Sequence, residues 1–253
     1  MRVHILPGSS AGTPGHPLTG FVIDGRLAID AGPLGSVGTL DEQAAISDVL
    51  LTHAHIDHVA GLPIFLDNVY QPCPGCPTVY GLPDTLASVQ SDIFNGRLMP
   101  DFIGMSKRME PFLSVHAVTP DRPFAVGKYT VTPIPLKHTI PTVGYLIDDK
   151  SSAVAILTDT GPVPEVLTAL AHWPRLRAVF LECSFPNAMG ELAGITGHLT
   201  TGQFLAAAKR LPAGVRVYAV HVKPRYWREV TAELRAGGLP NVAVGDGGTV
   251  VEV

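Results

Sequence analysis

The hydrophobic positions of this chain fall in short runs, several rich in Val and Ile, that alternate with amphipathic segments and are separated by glycine and proline. The runs predict strands over Val3 to Leu6, Phe21 to Ile23, Leu27 to Ile29, Asp48 to Leu51, Tyr129 to Ile134, Gly144 to Ile147, Ala153 to Leu157, Ala178 to Leu181, Val215 to Val220 and Val242 to Val244. Apolar residues at helical spacing predict helices over His58 to Leu66, Pro83 to Ile93, Val163 to His172, Thr201 to Leu211 and Tyr226 to Arg235. The alternation places the chain in the α/β class. Two strand-rich portions, each accompanied by helices, predict two sheets packed face to face with helices outside. The stretch from Tyr70 to Pro123 is the least regular, and an insertion or lid is expected there.

A length of 253 residues suits one domain spanning residues 1–253. Apolar residues make up 46% and charged residues 16%, which excludes a disordered chain and provides for a large core. The net charge of -4 offers no basic footprint for a nucleic-acid backbone, so a small-molecule substrate is expected and nucleic acid is not. A homodimer is left open. Met1-Arg2-Val3-His4-Ile5-Leu6 runs straight into a Gly/Ser/Pro loop, unlike a secretory signal, and no apolar stretch is long enough to span a bilayer. Cys73, Cys76 and Cys183 are too few for a disulfide framework and suit a reducing compartment, so a cytoplasmic location is expected.

The strongest chemistry is Thr52-His53-Ala54-His55-Ile56-Asp57-His58, directly after the apolar run Val49-Leu50-Leu51. Four potential ligands within six residues, where a strand gives way to a helix, can converge because the backbone turns there. Imidazole nitrogen with carboxylate oxygen suits zinc and related divalent ions. The loop offers more ligands than one tetrahedral site takes, so a second metal is implied. Further ligands are expected just after later strands, where His138, Asp159 and His221 each follow an apolar run.

His53-x-His55-x-Asp57-His58, with Asp30 in Ile29-Asp30-Ala31-Gly32 before it and His138, Asp159 and His221 after it, resembles the metallo-β-lactamase superfamily over nearly the whole chain. The resemblance implies the four-layer αββα sandwich and a hydrolase with two divalent metals, Zn²⁺ first and Mn²⁺ or Fe²⁺ as alternatives. It implies that His53, His55 and His138 bind one ion, that Asp57, His58 and His221 bind the other, and that Asp159 bridges them. Asp30 would orient the ligand loop, or simply cap its own tight turn. Asp159 stands where true β-lactamases often place a cysteine, which departs from antibiotic hydrolysis. Leu181-Glu182-Cys183-Ser184-Phe185-Pro186-Asn187, then Gly197-His198-Leu199-Thr200 and His221-Val222-Lys223-Pro224, resemble the class II cyclic-nucleotide phosphodiesterases. The Glu, the His-x-Thr and the later His are shared with transfer-RNA 3′-processing endonucleases.

That resemblance implies hydrolysis of 3′,5′-cyclic AMP, and of cyclic GMP beside it, to the 5′-monophosphate. Asp57 or Asp159 would accept the proton of the nucleophile. His198 would protonate the leaving oxygen, with Glu182 on its other ring nitrogen; the alternative is an exposed residue ahead of a helix capped by Thr200 or Thr201. Lys223 and Thr200 would contact substrate, Lys223 as a point charge on phosphate or else as a solvated surface lysine. The loop Gly8-Ser9-Ser10-Ala11-Gly12 could offer backbone N–H groups to an anion, although no Walker or dinucleotide fingerprint follows it. His16 lies in a loop that could reach substrate, whereas His4, His116 and His172 read as ordinary strand and helix residues. Cys73-Pro74-Gly75-Cys76 reads as a turn. The competing functions are an RNA-processing endonuclease, a thioester or lactone hydrolase, and a metal-stabilised binding protein without catalysis.

Overall fold

The computed structural model describes residues 1–8 and 14–253, so most of the Gly8 to Gly12 loop considered for anion contact lies outside the described residues. The described residues form two seven-stranded sheets. The first carries β1 (Arg2–Ile5), β2 (Phe21–Ile23), β3 (Leu27–Ile29), β4 (Asp48–Leu50), β5 (Thr78–Gly81) and β6 (Ser114–Ala117). The second carries β7 (Phe124–Val126), β8 (Tyr129–Leu136), β9 (Thr142–Asp148), β10 (Ala153–Leu157), β11 (Leu176–Glu182), β12 (Arg216–Val220) and β13 (Val242–Val244). The last strand, β14 (Val250–Glu252), returns to pair with β1, so the first sheet runs β14-β1-β2-β3-β4-β5-β6 and the second β13-β12-β11-β10-β9-β8-β7. Each begins as an antiparallel meander and ends in three parallel pairs, β3 to β6 and β10 to β13.

Period-two alternation sorts the side chains into three cores. Phe21, Ile23, Leu27, Ile29 and Leu50 meet Val143, Tyr145, Ile156, Phe180 and Tyr218 between the sheets. Val49 and Leu51 turn outward onto Leu62, Phe65 and Ile103, while Val179, Leu181, Val217 and Ala219 turn outward onto Leu167, Phe204 and Val230. Burial on both faces explains why β9 and β10 read as nearly unbroken apolar runs. These layers are the expected αββα sandwich.

The structure departs from the sequence reading in three places. The helix expected over His58 to Leu66 is two pieces, Ile56–Val59 and Leu62–Asn68. Gly61 separates them because its N–H donates to the Ala31 carbonyl and the close-lying chain leaves no room for a side chain, while Pro63 suits a first helical turn. Within residues 70–123, Thr78–Gly81 and Ser114–Ala117 are members of the first sheet. Cys73-Pro74-Gly75-Cys76 is a turn, and its two cysteines are joined as a disulfide, which the turn reading had not anticipated. No helix among the described residues is long and apolar enough to cross a membrane.

Candidate metal centre

The chemistry gathers at the carboxyl ends of the strands. Asp30 follows β3, the Thr52 to His58 loop follows β4, His138 follows β8, Asp159 follows β10, Glu182 ends β11 and His221 follows β12. Below this edge the sheets are tied together: Tyr145 O–H donates to the Leu51 carbonyl at 2.7 Å and the Val143 N–H to the Thr52 carbonyl at 3.1 Å. The ligand loop is held from the other side by N–H groups of Thr19 and Ala31 on the carbonyls of Asp57 and His58. Gly32 is required there, because a Cβ would collide with the Asp57 carbonyl. Asp30, Asp159 and His221 have φ of 58°, 48° and 57°, left-handed conformations uncommon for residues with a side chain. All three lie at this strand-end edge, while Asp24, Asp121 and Lys150 share that conformation away from it.

One donor set comprises His53, His55, His138 and Asp159; another comprises Asp57, His58 and His221; a third, overlapping both, comprises Asp159, His198 and His221. In the first, His55 Nδ1 lies 3.0 Å from His53 Nε2 and 3.2 Å from His138 Nε2, while Asp159 Oδ2 is 3.7 and 3.6 Å from those two nitrogens. In the second, His221 Nε2 lies 3.2 Å from Asp57 Oδ2, and Asp159 Oδ1 is 3.1 Å from His58 Nε2 and 3.3 Å from His221 Nε2. Asp159 thus turns one oxygen to each of the first two sets.

The outward nitrogens are committed elsewhere. His53 Nδ1 meets Thr52 Oγ1 at 3.0 Å, His58 Nδ1 meets Asp30 Oδ2 at 2.7 Å, His138 Nδ1 meets the Gly197 carbonyl at 3.0 Å and His221 Nδ1 meets Ser184 Oγ at 3.0 Å. Placing a proton on each outward nitrogen leaves lone pairs facing inward, as metal binding needs. His58 Nε2 and Asp159 Oδ1 have no hydrogen-bond partner among the described residues, although both are buried. Buried polar atoms without partners are uncommon, and a cation between them removes the conflict. The residues present therefore fit divalent ions, with an imidazole and carboxylate chemistry compatible with zinc.

The electrostatics follow from this crowding. Burial and the neighbouring His58 hold the His53 imidazole well below its ordinary pKa. Burial opposes charge on His58, yet Asp159 and Asp30 lift it well above the usual imidazole range. Burial likewise opposes charge on Asp159, but His221 and His58 hold its carboxyl well below the usual carboxylate range.

Beside the donor sets stands Glu182, fully buried, whose Oε1 accepts from His198 Nδ1 at 2.8 Å. It also accepts from the Thr160 N–H at 2.7 Å, the Ser184 hydroxyl at 2.8 Å and the Leu199 N–H at 3.1 Å. The His198 ring stacks on His221 with centroids 5.4 Å apart. His198 is 7% exposed, which corrects the alternative of an exposed residue ahead of a helix. Burial works against its charged form, but the hydrogen bond and charge of Glu182 raise its pKa.

Lys223 Nζ approaches His221 Nε2 at 3.4 Å and Asp57 Oδ2 at 3.6 Å, so it faces the centre. Thr200 differs: its hydroxyl accepts from the Gln203 N–H in a capping box that starts the helix Thr201–Ala208. His16 is 3% exposed, and neither ring nitrogen has a hydrogen-bond partner among the described residues; burial lowers its pKa to about 4. Thr52 and Ser184 were not singled out from the sequence as site residues; the only signal was position, Thr52 directly before His53 and Ser184 two residues after Glu182.

The model of the family described as "Beta-lactamase superfamily domain" matches residues 26–222. The chain belongs to that superfamily. A member from Yersinia pestis, described as a probable 3′,5′-cyclic-nucleotide phosphodiesterase, is 27% identical over 221 residues, which cover 78% of this chain and 62% of that protein. This superfamily chain therefore spans less than two thirds of that relative's length. A Kineococcus radiotolerans ribonuclease Z is 28% identical over 236 residues, covering 76% of this chain and 72% of the relative. Among solved structures, unliganded yeast PDE1 superposes with a TM-score of 0.80 at 18% identity, covering 100% of this chain and 99% of that one, a likeness of fold. The superfamily fold implies divalent metal ions, in keeping with the His and Asp clusters present.

Proposed function

We propose that the chain is a two-metal phosphodiesterase that hydrolyses 3′,5′-cyclic nucleotides to 5′-monophosphates. The observation that carries the phosphodiesterase part of this reading is the Glu182–His198 pair, 2.8 Å apart and packed against the donor sets. The cyclic-nucleotide part rests on the resemblance of Phe185-Pro186-Asn187, His198-Leu199-Thr200 and Val222-Lys223-Pro224 to that branch and on the absence of a basic footprint. His53, His55 and His138 would hold one ion, Asp57, His58 and His221 the other, and Asp159 both. When bound, the ions supply Lewis acidity that generates a nucleophile from water and neutralises charge on the phosphoryl oxygens. Zinc is the proposed metal.

The residues of the chain supply the rest. Asp57, ionised beside His221 and Lys223, accepts the proton given up by the attacking water, with Asp159 as the other candidate acceptor. His198 holds its Nδ1 proton on Glu182 and carries a second proton on Nε2 for the departing 3′-oxygen. Glu182 favours that doubly protonated ring and fixes its direction. Lys223 lends positive charge to the phosphate beside Asp57. Thr200 supports substrate binding indirectly, by fixing the helix start that follows His198.

A small cyclic diester engages one phosphate and needs no extended basic surface, in keeping with the net charge of -4. The ribonuclease Z relative, matched over 76% of this chain, keeps an RNA substrate as the second reading. Metal-loaded protein is offered cyclic AMP, a precursor transfer RNA and a thioester side by side, and products are separated by chromatography. Conversion of cyclic AMP to 5′-AMP is expected. Cleavage of the RNA without turnover of any cyclic nucleotide would leave the metal assignment standing and reject the substrate assignment.

A further inference from the structure

Ser184 lies fully buried between two functional imidazoles. Its Oγ is 2.8 Å from Glu182 Oε2, 3.0 Å from His221 Nδ1, 3.1 Å from the His221 carbonyl and 3.3 Å from His198 Nδ1. A hydroxyl has one proton to give and can accept in return. The carboxylate is the shorter and charged acceptor, so the Ser184 proton goes to Glu182. His198 Nδ1 is closer to Glu182 Oε1, at 2.8 Å, and donates there. His221 Nδ1 then has Ser184 Oγ as its acceptor, which places the His221 proton on Nδ1 and the lone pair on Nε2.

We propose that Ser184 is a positioning residue that locks His221 into the tautomer able to bind metal and couples it, through Glu182, to His198. One direction of donation runs from His221 to Ser184 to Glu182, and a second runs from His198 to the same carboxylate. Glu182 thereby orders a metal-facing ring and a substrate-facing ring at once. The inference rests on the reading of His221 as a metal ligand. Removing the hydroxyl leaves the buried His221 Nδ1 without its acceptor, so the ring is free to carry its proton on Nε2, the nitrogen facing Asp57 and Asp159.

The test is a Zn²⁺ titration of metal-free full-length protein against a competing chromophoric chelator, for the wild type, Ser184→Ala and Ser184→Thr. The wild type is expected to bind in two steps. Ser184→Ala should weaken one step by about 10–100-fold and leave the other unchanged, and Ser184→Thr, which restores a hydroxyl, should recover most of the loss. Long-range ¹⁵N–¹H correlation on the zinc-loaded wild type should show His221 protonated at Nδ1, a readout independent of whether the alanine variant folds. A wild type protonated at His221 Nε2, or an alanine variant that binds both ions as the wild type does, overturns the role of Ser184 alone. A wild type that takes up no zinc overturns that role and the metal assignment together.

Discussion

The two halves of the centre use the same device for different ends. In the first half the buried carboxylate of Asp30 meets His58 directly, at 2.7 Å, and His53 through the Thr52 hydroxyl, which lies 2.9 Å from Asp30 and 3.0 Å from His53. In the second half the buried carboxylate of Glu182 meets His198 directly, at 2.8 Å, and His221 through the Ser184 hydroxyl. Both place one imidazole on a carboxylate and a second behind a hydroxyl. They differ in what the directly held ring faces. His58 Nε2 faces Asp159 and shares a donor set with Asp57 and His221, whereas His198 groups with Asp159 and His221 and stacks on the His221 ring. Under the proposed roles, a repeated arrangement gives two rings for metal on one side, and one for metal with one for substrate on the other.

The largest break comes at the residue the halves share. Asp159→Ala should lower metal content at both positions and abolish turnover, whereas His221→Ala should empty chiefly one position; elemental analysis of the purified variants decides. Equal single losses from both would mean that Asp159 does not serve two ions. Removing the substrate-facing ring is the next largest effect. His198→Ala should keep its metals and lose about 10²–10⁴-fold in turnover of cyclic AMP, with a much smaller loss on bis(p-nitrophenyl) phosphate, whose leaving group needs less protonation. Losses of the same size on both substrates would make His198 a substrate-positioning group.

Neutralising the two carboxylates sharpens the contrast. Asp30→Asn should weaken metal affinity by about 10–100-fold without altering the dependence on leaving group, because both of its rings face the ions. Glu182→Gln should alter that dependence, and chelator competition together with the two substrates separates the variants. The smallest effect is on pH. Glu182 raises the His198 pKa against burial, so the proton donor is present at low pH and lost as pH rises through that raised value. In Glu182→Gln the falling limb of the cyclic AMP profile should move to lower pH; an unmoved limb would assign it to another group.

How much of this was legible follows from where the information lies. His53, His55, Asp57 and His58 were visible because a single loop carries all four. His138, Asp159 and His221 each follow a strand that reads as an apolar run, and the structure brings their donor atoms together with the loop. The contact between Glu182 and His198 joins residues 16 apart, beyond the reach of periodicity, and came from resemblance. Thr52 and Ser184 carry hydroxyls of a kind common everywhere, and only the folded backbone distinguishes them. Sheet edges were the weakest part of the reading. Ser114–Ala117 is half-exposed and lacks apolar alternation, and Val250–Glu252 has a single buried position, Val251. Thr78–Gly81, an inner strand of the first sheet, and Phe124–Val126 at the edge of the second were not read as strands, whereas the remaining inner strands were read to within a residue or two.

The left-handed backbone at Asp30, Asp159 and His221 means that this centre is assembled at the expense of the metal-free fold. Conformations of that kind cost on the order of 1–3 kcal/mol each in residues with a side chain, and glycine adopts them freely. Asp159→Gly and His221→Gly should therefore melt at higher temperature than the corresponding alanine variants when all are stripped of metal, with none of the four expected to turn over the proposed substrate. Calorimetry on the chelated proteins tests this, and equal melting temperatures would show the backbone at those positions to be unstrained. A search for more thermostable versions of the chain, scored by folding alone, would accordingly drift toward glycine at these strand ends and discard the proposed centre as it improved the scaffold.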